Sequence, residues 1–209
     1  MLHEQKKLNQ SDNSMIIETG FSMQLKYLPS VGWFVHAMNK KELVLCSTEL
    51  YRKENHPNRS SIISANGMIN LNVPLAGGRN QKARMSELKI SGTDWKRNHL
   101  HAIKSAYGKA PYFLYYFDEL EKIIRLANDN YFELCEALVR WLTKELIPNA
   151  SVFISNNEIP HISINKFTCN KYYQVFEFKF GFQEDMSAID LLFNMGPDAK
   201  FYLKENKCA

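Results

Sequence analysis

Val31-Gly32-Trp33-Phe34-Val35-His36-Ala37-Met38, followed after three residues by Glu42-Leu43-Val44-Leu45-Cys46, decides the fold. The first segment carries apolar residues at helical spacing. The second is short and nearly continuous in apolar residues, the pattern of a strand buried on both faces. Upstream, Met15-Ile16-Ile17-Glu18 reads as the first strand and Gln24–Ser30 as a loop. Strand, helix and strand in that order predict a βαβ unit with parallel strands. Outward from it, Ser61–Ser64 and Met68–Val73 flank Asn66-Gly67, a hairpin signal in which both central residues of a type I′ turn take positive φ. Gly77-Gly78 marks a loop. Trp95–Tyr107, Pro111–Ala127 and Asn130–Leu146 read as helices, the last capped by Asn130 with Glu133 three residues on and closed by Pro148. Ser151–Ile154 and His161–Ile164 read as strands, and Ser187–Phe193 as a short helix stopped by Gly196-Pro197. Tyr173–Phe180 fits helix or strand.

The expected fold class is α/β, one domain with a mixed β-sheet flanked by helices over residues 15–209, after a flexible N-terminal tail over residues 1–14. The alternative is α+β with a helical cap from Asp94 to Leu146. A chain of 209 residues with 45% hydrophobic and 12% aromatic residues has ample material for a core, which excludes a disordered or low-complexity chain. Met1–Ser14 is polar and does not read as a secretory signal, and no apolar run approaches the length of a membrane span. Cys46, Cys135, Cys169 and Cys208 are scattered, without a CxxC pair, which fits a reducing cytoplasm. Neither HExxH nor Cys/His pairs occur, so no metal and no cofactor is expected.

The net charge of +4 hides an asymmetry. Between Tyr51 and Ala110 stand 11 Lys/Arg against 3 acids, a net of +8, and the rest of the chain carries −4. A local positive field attracts anions. Four stretches could carry chemistry. Tyr51–Arg59 follows a strand end, where α/β folds place ligands, and offers Lys53 and the planar fork of Arg59. Otherwise it is a solvated turn. His99 shares a helix face with Trp95, Ala102 and Ala106, so it is either a general base or a core histidine. Asp190 sits in the first turn of a helix capped by Ser187, a complete structural role that also leaves a carboxylate near substrate. Leu75–Lys82 is Gly-rich and basic but matches no phosphate-loop pattern. Most aromatics fall in apolar stripes and the total charge is small, which argues against nucleic acid.

Tyr27-Leu28-Pro29 with Trp33, then Glu49, Tyr51, Lys53, Asn58-Arg59 and Val73-Pro74, stand in an order that resembles the WbqC-like protein family. So do Trp95-(x3)-His99, Ala106-Tyr107, Ala110-Pro111-Tyr112-Phe113 and Ser187-(x2)-Asp190-Leu191-Leu192-Phe193-(x2)-Gly196-Pro197. The version here resembles the short members found in Bacteroidetes. Met23-Gln24-Leu25-Lys26-Tyr27 and Gly32-Trp33 depart from the family's aromatic-rich pattern. The resemblance implies a transferase passing a glycyl or other acyl-type group to a sugar or nucleotide-sugar in surface-polysaccharide (O-antigen) biosynthesis. A non-catalytic binder of sugar phosphates or nucleotides is the alternative. Asn58, Arg59, His99, Tyr107 and Asp190 match family positions. The roles that follow are His99 as base, Asp190 as its orienting partner, Arg59 with Lys53 on phosphate, Asn58 on a carbonyl or oxyanion, and Tyr107 on substrate. These residues are expected to converge on one basic cleft between the hairpin and the first long helix, open to a small anionic ligand.

Overall fold

The computed structural model describes residues 21–77, 83–159 and 170–206. Its parallel sheet has the order β1-β2-β5, with β1 at Phe21–Ser22, β2 at Glu42–Cys46 and β5 at Ser151–Ser155. Helix α1, Val31–Ala37, makes the crossover from β1 to β2. The parallel strand-helix-strand order is present, its first strand lying at Phe21–Ser22, with Phe21 opposite Leu43 and Ser22 opposite Val44. The candidate strand Met15–Glu18 lies outside the described residues, as does His161–Ile164. The chain from Glu42 to Cys46 runs beside Ser151 to Ser155 in register, and all of Leu43 to Cys46 is buried. That burial on both faces is why the stretch is apolar without alternation.

The antiparallel pair, β3 (Arg59–Ser64) and β4 (Gly67–Asn72), forms a separate two-stranded sheet. The α/β class stands, and its parallel and antiparallel parts occupy two small sheets rather than one. The hairpin turn also differs from the expected one. Ser64 pairs with Gly67, so Ala65-Asn66 are the central residues. Gly67 takes φ 102°, while Asn66 is not among the positive-φ residues. The Ser64 hydroxyl accepts from the Asn66 amide and donates to the Gly67 carbonyl, supporting the turn from its own strand.

Three helices follow: α2 (Asp94–Tyr107), α3 (Phe113–Leu126) and α4 (Tyr131–Leu146). The apolar stripe of α4 is buried along its whole length, from Tyr131 and Phe132 through Leu138 and Leu142 to Leu146. It packs against α3 and β5 and the two C-terminal helices. Each such side chain contributes roughly 1.5–3 kcal/mol by leaving water. Asn130 caps α4 by accepting from the Glu133 amide at 3.2 Å, as expected. The Glu133 carboxylate turns instead to the Asn128 side chain.

Tyr173–Phe180 is irregular chain with a turn at Val175-Phe176, ending in a single helical turn, α5 (Glu177–Phe180). Helix α6 (Ala188–Met195) is buried from Ala188 to Asn194. Ser187 precedes it but does not cap it with its side chain. The hydroxyl donates to the Leu28 carbonyl at 3.2 Å, joining the helix start to the loop after β1. Helix α7 (Ala199–Glu205) ends the described chain. Between α6 and α7, Gly196 has φ 55° and its α-carbon faces the Tyr112 ring, which leaves no room for a Cβ. Gly196→Ala is expected to cost about 2 kcal/mol or more, from the left-handed backbone and the ring contact together. Chemical denaturation would measure it.

Candidate functional site

His99 projects from the middle of α2 into the hydrophobic core. The loop after β1 places Tyr27 beneath it, and the Tyr27 hydroxyl meets His99 Nδ1 at 3.0 Å. The other ring nitrogen faces the Asn72 backbone carbonyl at the end of β4. Trp95 packs edge-on against both rings. Burial lowers the His99 pKa from 6.5 to about 4, with the Asn72 carbonyl pulling the other way. His99 is therefore a neutral core imidazole joining the loop, α2 and the hairpin. The junction between hairpin and first long helix is filled by these rings and is not a cleft.

Asp190 occupies a second buried polar cluster. Its Oδ2 accepts from the Tyr172 hydroxyl at 2.5 Å and the Gln174 amide at 2.8 Å. Gln174 also binds the Gln183 backbone through both ends of its side chain, which closes the segment before α6. The Tyr107 hydroxyl faces the same carboxylate without completing a hydrogen bond of standard geometry. Asp190 is wholly buried. Burial pushes its carboxyl above the ordinary range, and the bonds from Tyr172 and Gln174, with the Tyr107 hydroxyl facing it, partly offset this. Tyr107 stands eight residues after His99 on α2, about 12 Å along the axis. His99 and Asp190 thus belong to separate clusters along that helix, and the structure does not bring them together as acid and base.

The remaining expected site residues are also dispersed. Asn58 makes a double clip with Val73: its side-chain amide donates to the Val73 carbonyl at 2.8 Å, and its own carbonyl accepts from the Val73 amide at 3.0 Å. Arg59 Nε donates to Asn72 Oδ1 at 2.9 Å on the exposed side of the hairpin. Tyr107 is buried against Phe193. Lys53 is exposed on a single 3-10 turn, Lys53–Asn55. Several described cations of the +8 stretch are engaged locally. Lys89 pairs with Asp129, Arg97 with Asp94, and Lys96 donates to the carbonyls of Arg125 and Ala127 that end α3.

A cleft of about 550 Å³ opens where parallel-sheet folds expect a ligand, at the carboxyl ends of β2 and β5. It is lined by Cys46, Glu49, Arg52, Asn55, Glu158 and Ile159, with Leu50 at its side. Cys46 is the last residue of β2 and is buried, its thiol bonded to the Asn157 carbonyl. Gln24 reaches Glu49 from the loop after β1 at 3.4 Å. The Tyr51 amide bonds to Ala83, and the Leu50 backbone pairs with Arg84, fixing this rim to a neighbouring segment. The Arg52 guanidinium, the Asn55 side-chain amide and the Glu158 carboxylate have no partner among the described residues. The strand-end rule pointed to the loop from Tyr51 to Arg59 but not to Arg52 within it. Glu158 lies 106 residues further on and gave no local signal. Only the β2–β5 pairing brings it there. Among the described residues, no group of three or more His, Cys, Asp or Glu could hold a metal ion, and no helix is long and apolar enough to cross a membrane.

Residues 24–159 match the model of the WbqC-like protein family. The chain is also similar to the uncharacterized protein Rv1507c of Mycobacterium tuberculosis, with 26% identity covering 87% of this chain and 96% of that one. No solved structure matches.

Proposed function

The chain belongs to the WbqC-like protein family, and on that premise we propose that the cleft at the carboxyl ends of β2 and β5 binds a small anionic sugar derivative, a sugar phosphate or a nucleotide-sugar. One observation carries this reading. Arg52 lines the cleft with a guanidinium that has no partner among the described residues, beside the Asn55 amide, whereas Arg59, Arg125 and Arg140 each hydrogen-bond a neighbouring side chain. A planar fork of donors suits phosphate oxygens, and an amide suits sugar hydroxyls. Lys53 adds a cation at the rim. The volume fits a monosaccharide phosphate. Asn58, His99, Tyr107 and Asp190 then act as positioning residues that hold the loop after β1, the hairpin and α6 around the sheet. Arg59 braces the hairpin through Asn72.

A second reading is supported by the two carboxylates of the cleft. Transfer of a glycyl or other acyl-type group onto the sugar, as a cytoplasmic step of surface-polysaccharide synthesis, needs a base for the attacking hydroxyl or amine. Glu49 and Glu158 are the groups placed to take that proton.

The test is calorimetric titration of the full chain with glucose 6-phosphate and UDP-glucose. Arg52→Ala is expected to weaken binding about ten- to a hundred-fold, the loss of a charge-assisted bond. Arg59→Ala is expected to leave affinity within about two-fold. Equal losses in both variants, or none in Arg52→Ala, would remove the cleft from consideration.

A further inference from the structure

We infer that the sugar derivative bound in the β2–β5 cleft carries a free amino group as well as its phosphate, the ammonium being received by Glu158; this rests on the assignment of the cleft made above. The cleft is not uniformly basic. Its lining holds one guanidinium, Arg52, and two carboxylates, Glu49 and Glu158. Their formal sum is −1, and Lys53 on the adjacent turn only cancels it. A phosphate with neutral hydroxyls would be attracted by Arg52 and repelled by both carboxylates. A ligand with one anionic and one cationic end satisfies both kinds of group.

The charged groups of the cleft come from different parts of the fold. Arg52 and Asn55 ride on the turn after β2, and Glu158 follows β5. A ligand spanning them must present its charges at separate positions, as an amino sugar phosphate does across its ring. Glu49 is held by Gln24 at the cleft wall, whereas Glu158 is exposed and has no partner among the described residues. Glu158 is therefore the carboxylate left for the ammonium. An uncharged isostere of the amine would leave it without a counter-charge.

The experiment titrates the full chain with glucosamine 6-phosphate, N-acetylglucosamine 6-phosphate and glucose 6-phosphate. Glucosamine 6-phosphate is expected to bind about ten-fold more tightly than the other two. Glu158→Gln should remove that advantage while leaving glucose 6-phosphate affinity unchanged or improved. Arg52→Ala should weaken all three. Both substituted residues are exposed, and matching thermal melts would show that the variants fold. Equal affinity for the three sugars, or an advantage that survives in Glu158→Gln, overturns the inference and leaves the cleft assignment standing. Binding of none of them overturns the cleft assignment together with the inference.

Discussion

Asp190→Ala is expected to cost about 3–5 kcal/mol of folding stability. The carboxylate is the acceptor for the Tyr172 hydroxyl and the Gln174 amide, and the Tyr107 hydroxyl faces it as well. All three donors are buried. Truncation leaves the Tyr172 hydroxyl without its acceptor, removes one acceptor of the Gln174 amide and opens a void in α6. In a chain of this size the melting temperature should fall by roughly 10 °C or more. Asp190→Asn keeps an acceptor for Tyr172 and Gln174 and should cost far less. Its effect depends on pH. Burial holds the Asp190 carboxyl above its ordinary range, so the folded chain binds a proton more readily than the unfolded chain. The stability this contributes is complete below the unfolded pKa of about 4 and is lost as pH rises through the folded value. Urea titrations from pH 4 to pH 8 should therefore show the wild type's advantage over Asp190→Asn shrinking as pH rises. An advantage that grows with pH would mean that the carboxylate is stabilised in its charged form.

His99→Ala should cost about 3 kcal/mol, because it removes a partner from the buried Tyr27 hydroxyl and from the Asn72 carbonyl and leaves a gap beside Trp95. The pH dependence has the opposite sign to that of Asp190. The folded pKa lies near 4, below the ordinary 6.5. The stability gained from the neutral ring is present above about pH 6.5 and disappears as pH falls through 4, a change of order 3 kcal/mol. His99→Gln should flatten that acid limb. If the wild type and His99→Gln lose stability in parallel between pH 6.5 and pH 4, His99 is not the buried neutral group described.

The fold was legible where local pattern and tertiary environment agree. Glu42–Cys46 is apolar because both of its faces are covered, and Asn130 sits where a helix needs an acceptor. The candidate site was less legible, for a physical reason. A histidine at helical spacing and an acid in a first helical turn look alike whether they meet substrate or the core. Their partners decide, and those partners are distant in sequence: Tyr27 lies 72 residues before His99, and Tyr172 lies 18 before Asp190. Charge density was misleading because ion pairs and helix-end carbonyls absorb Lys89, Lys96 and Arg97. Arg52 was missed because its distinction is the absence of a partner, which no sequence pattern records.

The Leu28 carbonyl receives hydroxyls from both Ser60 and Ser187, and the Pro29 carbonyl receives the Ala188 amide. This seam ties the hairpin and α6 to the loop after β1. The region shared with the family model ends at residue 159, before α6 begins. The loop after β1 is thus completed by Ser187, 159 positions downstream, a contact of high sequence separation whose loop-closure entropy slows its formation in folding.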